Sequence, residues 1–480
     1  MTSRRLRSLA AGAAGLALAG SLAAGSLAAA ALAAGPERLT AAAPARSTEP
    51  APWWIRAIGA DGIPAPGPGK PVALVDTGID MGLALFVGRR DTIPLNSQRL
   101  LRRDQYHGSA VASLVVGPGI GSSVIGVYPR ARLVSWNATA SGELTLGEIV
   151  RGIDTISARG PSVINLSVGG GYYSPALKDA VLRAIDRGSL VVAAVGNERP
   201  LVTFLARPAG EPHVFTVASV GPTLAVSRFS SQSSGIDVAA PGEDLRVAVP
   251  LSVSETGELL QSGTSFSAAI ASGAAAWVWT RRPELDNTQL FDILRRSARH
   301  VGMRGVNIDT GFGVIDIAAA LRYPAPTRDP QEPNDDISQV APGAIVPRGR
   351  PLLVSPARRH GTVSARLDAT KDPHDVYRVV IPPHTTLLGS AVVPPGTRVR
   401  LWDSSTSSVD GISDGQADHL LAAGAARRGG AAQRGAGTSR TVVLRFANAS
   451  ASPVSAFLDV WLVGNLESGS YRLDASLAAG

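Results

Sequence analysis

Between residues 53 and 321 the chain keeps switching hydrophobic period, and that alternation limits its folding options more than any other property of the sequence. "PVALVD", "ARLVSW", "PSVINLS" and "SLVVAAV" are apolar runs of strand length, flanked by Gly, Pro or Ser. Between them, "LTLGEIVRGIDTISARG" and "SPALKDAVLRAIDRG" carry apolar residues at helical spacing and close on glycine. Strands apolar on both faces need cover on both faces. The pattern therefore predicts an α/β fold: a parallel sheet with helices on either side. In such sheets ligands sit beyond the carboxyl ends of the strands, which says where to look for chemistry.

The alternation stops at "YPAPTRDPQEP", residues 323–333, a proline-rich linker. Beyond it "DVYRVVI", "TRVRLW", "RTVVLRF", "AFLDVWLV" and "SYRLDASL" read as strands separated by turn residues, the pattern of a separate all-β sandwich over residues 334–480. Low-complexity sequence near residues 411–439 predicts a loop within it. At the other end, the basic "MTSRRLR" precedes an uncharged Ala- and Leu-rich run closing on "ALAAG". This is a signal peptide pattern over residues 1–34, with cleavage after about Ala33. An uncleaved anchor is the alternative, and Arg4-Arg5 leaves a twin-arginine route open. Residues 35–52 form a polar, disordered tether, and the α/β domain spans residues 53–322.

With no cysteine, the chain cannot use disulfides, thiol catalysis or cysteine-ligated metals. Export remains open, because a domain of this size buries enough core without covalent staples. The net charge is +8, but only Lys70, Lys178 and Lys371 of the 46 basic residues are lysines. The arginines are scattered, clustering only near residues 427–434, so no nucleic-acid partner is expected. A secreted or envelope-associated monomer, without a stable membrane span beyond its signal, fits these numbers.

Four residues invite a chemical reading, and each has a plainer one. Asp76 ends the strand "PVALVD", where a carboxylate commonly caps the next turn. His107 opens "HGSAVASLVVG" at a helix start, and a lone histidine is usually structural. Asn197 closes "LVVAAVGNE" behind a strand, where turn asparagines are common. Ser265 follows Gly263-Thr264 at the start of a small-residue helix, where serine often serves as a cap. His213 and His300 read as surface residues. Taken together the four make a system: a hydroxyl nucleophile, a base to take its proton, a carboxylate to orient the base, and an amide to join the Ser265 N–H in stabilising an oxyanion.

"VALVDTGID", "HGSAVAS", "VINLSVGG", "LVVAAVGNE", "FSSQSSGIDVAAPG" and "SGTSFSAAIASG", in that order, resemble the sequence blocks of the subtilisin-like serine peptidases, and "TGFGVIDIAAAL" resembles that domain's closing turn and helix. The Asp-His-Ser order and the asparagine donor are established for subtilisin, not deduced from this chain. The resemblance implies a serine endopeptidase acting on protein or peptide substrates, needing no cofactor for its chemistry. Asp76 would orient, His107 would act as base then acid, Ser265 would attack, and Asn197 would donate to the oxyanion. Ser167, Val168 and Gly169, with Ala194, Val195 and Gly196, would form the two edges of the S1 pocket. Residues 259–280, "LLQSGTSFSAAIASGAAAWVWT", are long enough to span a bilayer, but the resemblance makes them the buried helix behind the nucleophile.

The chain departs from the family pattern at Ala110, where a second histidine is usual, and at Ala269-Ile270, where Pro-His is usual. Ser109 and Ser113 replace a common threonine and glycine. A shifted nucleophile would lower the rate, which keeps an inactive, binding-only envelope protein as the alternative. Residues 35–52 are too short and polar for a folded inhibitory propeptide, so maturation without one is expected. The C-terminal "EPNDD", "DPHDVYRVVIPPHTT" and "SGSYRLDASL" resemble the pre-peptidase C-terminal β-domain, with an unrelated β-domain as the alternative. Asp335, Asp336, Asp372 and Asp375 would bind structural calcium only if they converge; as turn caps they would not, and no metal site is assigned from sequence.

Overall fold

The computed structural model describes residues 51–119, 123–169, 174–199, 208–303, 305–409, 417–426, 439–463 and 468–479. The expected signal peptide and the tether up to residue 50 lie outside the described residues.

Seven parallel strands form the first sheet: β1 Val72–Asp76, β2 Thr92–Pro94, β3 Leu133–Asn137, β4 Val163–Leu166, β5 Leu190–Ala194, β6 Phe215–Val220 and β7 Val238–Pro241. Their spatial order is β2-β3-β1-β4-β5-β6-β7. Along β1, Val72 and Leu74 enter one core, while Ala73 and Val75 enter another on the opposite face. Both faces are covered as the sequence predicts. On the first face lie α2 His107–Val116 and the long α5 Thr264–Arg281; on the second lie α3 Leu146–Ser157 and α4 Pro175–Asp186. α3 starts where Thr145 accepts from the Glu148 N–H. α4 starts where Ser174 accepts from the Leu177 N–H, with Pro175 leading the helix. A short α1, Trp53–Ala57, precedes the sheet, and α6 Asn287–Arg296 and α7 Ile317–Arg322 close it.

The uncharged segment 259–280 is not one element. Its first residues belong to β9 Glu258–Gln261, paired antiparallel with β8 Leu245–Ala248, and only the rest is helix. Fifteen of the eighteen residues of α5 are buried, which is why it can be apolar all round without meeting lipid. Among the described residues no helix is long and apolar enough to cross a membrane.

After the short α8 Ile337–Val340 the chain forms two antiparallel sheets. The strands are β10 His360–Asp368, β11 His374–Ile381, β12 Thr385–Val393, β13 Thr397–Asp403, β14 Leu420–Ala423, β15 Ala425–Ala426, β16 Arg440–Asn448, β17 Val454–Leu462 and β18 Ser468–Ala479. Their orders are β10-β18-β12-β16-β15 and β11-β17-β13-β14, and Leu367, Tyr377, Leu401, Leu458 and Leu473 share the core between them. Within the loop expected near 411–439, residues 417–426 supply a 3-10 turn and strands β14 and β15, and residues 411–416 and 427–438 lie outside the described residues.

The proline-rich segment 323–333 is packed against the first domain. Arg282 donates to the Tyr323 carbonyl at 2.6 Å and Gln289 to the Pro326 carbonyl at 2.7 Å. Lys371, in the β10–β11 turn, is 2% exposed and inserts its ammonium beneath the parallel sheet. There it donates to the carbonyls of Ala209 (3.1 Å) and Val214 (2.9 Å) and to Thr216 Oγ1 (3.0 Å). Arg295 of α6 lies between Asp237 (3.2 Å) and Asp368 (2.9 Å). These contacts fall beside the starts of β6 and β7, so the sandwich docks at the amino edge of the parallel sheet and leaves its carboxyl edge open.

Candidate functional site

Asp76 is the last residue of β1, almost fully buried, and takes the Thr77 N–H on Oδ1 at 2.7 Å. His107 is the first residue of α2, and the Thr77 hydroxyl pins that helix start to the strand end. It accepts from the Gly108 N–H (2.9 Å) and donates to the Gln105 carbonyl (3.0 Å). Gly108 is required here, because a Cβ would stand 2.2 Å from the Gly78 carbonyl oxygen. The result is an imidazole whose Nδ1 lies 2.8 Å from Asp76 Oδ1. A carboxylate can only accept, so Nδ1 carries the proton and Nε2 is the basic nitrogen of the neutral ring. The ring keeps 30% of its surface exposed. Burial lowers its pKa, but the charge of Asp76 and their hydrogen bond outweigh that, and the net shift is upward.

Ser265 sits in the first turn of α5, partly exposed, on the same edge of the sheet. Its hydroxyl donates to the Ser167 carbonyl at 3.2 Å, and the Ser167 hydroxyl returns a bond to the Ser265 carbonyl at 2.8 Å. Behind this pair Asn165 Nδ2 donates to Ser167 Oγ (2.8 Å), and Ser272, two turns along α5, donates to Asn165 Oδ1 (3.1 Å). A buried polar relay thus clamps the Ser265 turn against the end of β4. The next residue, Phe266, faces the His107 ring at 5.8 Å between centroids.

Asn197 follows β5 after Gly196, whose φ of +107° lies in the region that favours glycine. Asn197 Oδ1 accepts from both the N–H and the hydroxyl of Thr264, each at 2.9 Å. A backbone N–H can only donate, so the atom facing it must be oxygen. Nδ2 therefore points the other way. Ser167, Val168 and Gly169 leave β4 while Ala194, Val195 and Gly196 leave β5, so the two expected edges emerge from neighbouring strands.

The departures from the family pattern noted in the sequence lie behind this rim. Ser113 donates to the Ala110 carbonyl (2.7 Å) and accepts from the Ala248 N–H (3.0 Å), joining α2 to β8, while Ser109 accepts from the Asp80 N–H (2.8 Å). Their replacements for threonine and glycine are thus tied in by hydrogen bonds. Ala110, Ala269 and Ile270 are completely buried.

His213 corrects the sequence reading. Instead of lying on the surface it is buried, with Nε2 3.1 Å from Asp335 Oδ1 and 2.9 Å from Glu332 Oε2. Its partners lie some 120 residues further along, so nothing local marked it. His300 is exposed as expected. The four aspartates, to which no metal site was assigned from sequence, converge only in part. Asp335 and Asp372 gather with His213 and Glu332, Asp375 joins Asp329 and Glu332, and Asp336 turns away to accept from the Val409 N–H (2.7 Å).

The sequence and fold agree with known proteins. Residues 67–313 match the model of the subtilase family, Peptidase S8. Subtilisin E of Bacillus subtilis is 30% identical over 262 residues, 53% of this chain and 66% of its own length. The subtilisin of Bacillus pumilus is 30% identical over an equal span, 92% of its length. Among solved structures, fervidolysin from Fervidobacterium pennivorans, a keratinolytic enzyme related to subtilisin, superposes with a TM-score of 0.51 at 21% identity. That likeness of fold covers 82% of this chain and 53% of fervidolysin.

Proposed function

The chain belongs to the subtilase family, and from that premise we propose that it is a serine endopeptidase working through an acyl-enzyme on Ser265. One observation carries the reading: the Asp76–His107 bond of 2.8 Å leaves Nε2 as acceptor on the rim that holds the Ser265 hydroxyl. In the reaction Ser265 turns from the Ser167 carbonyl toward His107. Its oxygen attacks the substrate carbonyl as Nε2 takes the proton, and Asp76 stabilises the imidazolium. The Ser265 N–H and Asn197 Nδ2 supply donors to the oxyanion, and the positive end of the α5 dipole adds to them. Collapse expels the amine, which leaves with the proton from His107. Water then repeats the sequence on the ester and frees Ser265.

An extended peptide would lie along Ser167, Val168 and Gly169 as an added strand, with its side chain between that edge and Ala194, Val195 and Gly196. The chemistry needs no cofactor. Export by the N-terminal signal would deliver a monomer to protein substrates outside the cell. The C-terminal sandwich would be a pre-peptidase C-terminal module.

The second reading, a binding-only envelope protein, draws on the Ser265 proton lying on the Ser167 carbonyl and on the missing Pro-His pair. A fluorophosphonate probe separates the two. Wild type should carry the adduct on Ser265 and Ser265→Ala none; no labelling anywhere between about pH 6 and 10 would favour the binding protein.

A further inference from the structure

Serine inside a helix ordinarily returns its hydroxyl to a carbonyl of the preceding turn, as Ser113 of α2 does toward Ala110 at 2.7 Å. Ser272 of α5 is completely buried and does something else: its hydroxyl leaves the helix and donates to Asn165 Oδ1 of β4 at 3.1 Å. Asn165, also completely buried, donates from Nδ2 to Ser167 Oγ at 2.8 Å. Ser167 Oγ in turn donates to the Ser265 carbonyl at 2.8 Å. The middle of α5 is thus joined to the peptide group of Ser265 by a route through the end of β4, not only along the helix.

The direction of this relay is set by its far end. A carbonyl oxygen can only accept, so the Ser167 proton must lie on the Ser265 carbonyl. Ser167 Oγ then has only lone pairs to offer Asn165, so the amide atom facing it must be Nδ2 and the atom facing Ser272 must be Oδ1. Oδ1 accepts only, so Ser272 must be the donor. Each link has one allowed orientation, and the Ser272 hydroxyl holds the Asn165 amide in it. Without that hydroxyl, Oδ1 would be left buried and unpaired, which is costly. A half-turn of the amide would then present Oδ1 to Ser167, draw the Ser167 proton onto it and take the bond from the Ser265 carbonyl. On the β5 side the same turn is held separately, by Asn197 Oδ1 through Thr264.

We propose that Ser272, acting through Asn165 and Ser167, is a positioning residue for Ser265. It fixes the peptide group after the nucleophile, and with it the direction of the Ser265 hydroxyl and N–H relative to His107 and Asn197. The role rests on the peptidase reading of Ser265. Where the family pattern has a proline this chain has Ala269, so no ring fixes φ behind the nucleophile, and the relay supplies a restraint in its place. Ser267 provides the contrast. It lies nearer to Ser265 on the same helix and is equally buried, yet its hydroxyl has no hydrogen-bond partner among the described residues. Closeness along the helix would single out Ser267; the relay singles out Ser272.

The test compares the full chain as wild type, Ser272→Ala, Ser272→Thr and Ser267→Ala. Ser272→Ala should lower kcat for a peptide substrate by about tenfold or more with KM nearly unchanged, because a misdirected nucleophile loses rate and not binding. Ser272→Thr keeps the donor and should recover most of the loss. Ser267→Ala should stay within about twofold of wild type. A Ser272→Ala kcat within about twofold of wild type, a loss matched by Ser267→Ala, or a loss confined to KM would overturn the positioning role. Should the threonine methyl prevent folding, the contrast between the two alanine variants decides. The relay is also read without turnover, in a Ser265→Ala background that keeps the carbonyl. There the Asn165 side-chain amide proton resonances should move on Ser272→Ala and hold on Ser267→Ala; resonances unmoved by Ser272→Ala would overturn the relay. No turnover by wild type would overturn the peptidase reading instead, and the same resonances would still decide the relay.

Discussion

Two histidine–carboxylate pairs sit at opposite edges of one parallel sheet. His107 and Asp76 meet at the carboxyl edge, 2.8 Å apart, with 30% of the imidazole exposed and one carboxylate as partner. His213 lies just before β6, at the amino edge, 10% exposed and within reach of both Asp335 and Glu332. The hydrogen-bond chemistry is alike, yet the surroundings prepare different work. At His107 a single carboxylate fixes the tautomer, and the ring stands partly exposed on the edge of the sheet that also carries Ser265. At His213 both carboxylates gather at Nε2, and the ring is buried at the edge away from the open rim. Burial and the Asp335 and Glu332 charges compete there, the charges win, and the pKa is held well above its usual value. A histidine beside an acid therefore signals catalysis only when the ring also stands on an open rim.

The sharpest way to break the comparison is to remove the imidazole at the open edge. His107→Ala should lower kcat for a peptide substrate by about 10⁶-fold, the size of the effect in subtilisin itself. Loss of less than about tenfold would deny His107 its role as base. Asn197→Leu should cost about 10²–10³-fold in kcat with KM little changed, because in the proposed mechanism its amide serves the oxyanion and not the ground-state carbonyl. An equal rise in KM would make Asn197 a binding residue instead.

How far these roles were legible depended on the distance between partners along the chain. Asp76, His107, Asn197 and Ser265 stand in family blocks, and β1, β3, β4 and β5 announce themselves by apolar runs. β12, "TTLLGSAVV", did not, because Leu388 and Val392 face solvent and blur its alternation. Residues 259–280 looked like one helix because charge, not geometry, was the signal; the break at Gly263 divides strand from helix. His213, Lys371 and Arg295 were opaque for a stricter reason. Each is bonded to groups 73 or more residues away, across a junction that exists only once both domains have folded.

The acid limb of activity tests the pair at the open edge. Since Asp76 raises the His107 pKa, kcat/KM should fall tenfold per pH unit below a value above about 6.5, the ordinary imidazole figure. Asp76→Asn should move that limb downward while lowering the plateau. The stability sign is opposite to the activity sign. The ion pair stabilises the fold fully below the unfolded imidazole pKa, and that contribution disappears as pH rises through the folded one. A limb that stayed put in Asp76→Asn would mean that another group controls it.

His213→Gln should have the smallest effect on rate and a clear one on stability. The side chain stands at the edge of the sheet opposite Ser265, so kcat/KM at moderate temperature should stay within about twofold of wild type, the scatter of ordinary distant substitutions. Glutamine keeps a donor for one carboxylate but removes the positive charge that balances Asp335 and Glu332. Leaving a buried charge without its partner costs about 3–5 kcal/mol, so thermal unfolding should begin several degrees lower. Unfolding traces and steady-state rates from one preparation give both numbers. A large fall in kcat with an unchanged unfolding curve would show that the two edges of the sheet are coupled, and the division of labour between the two histidines would have to be abandoned.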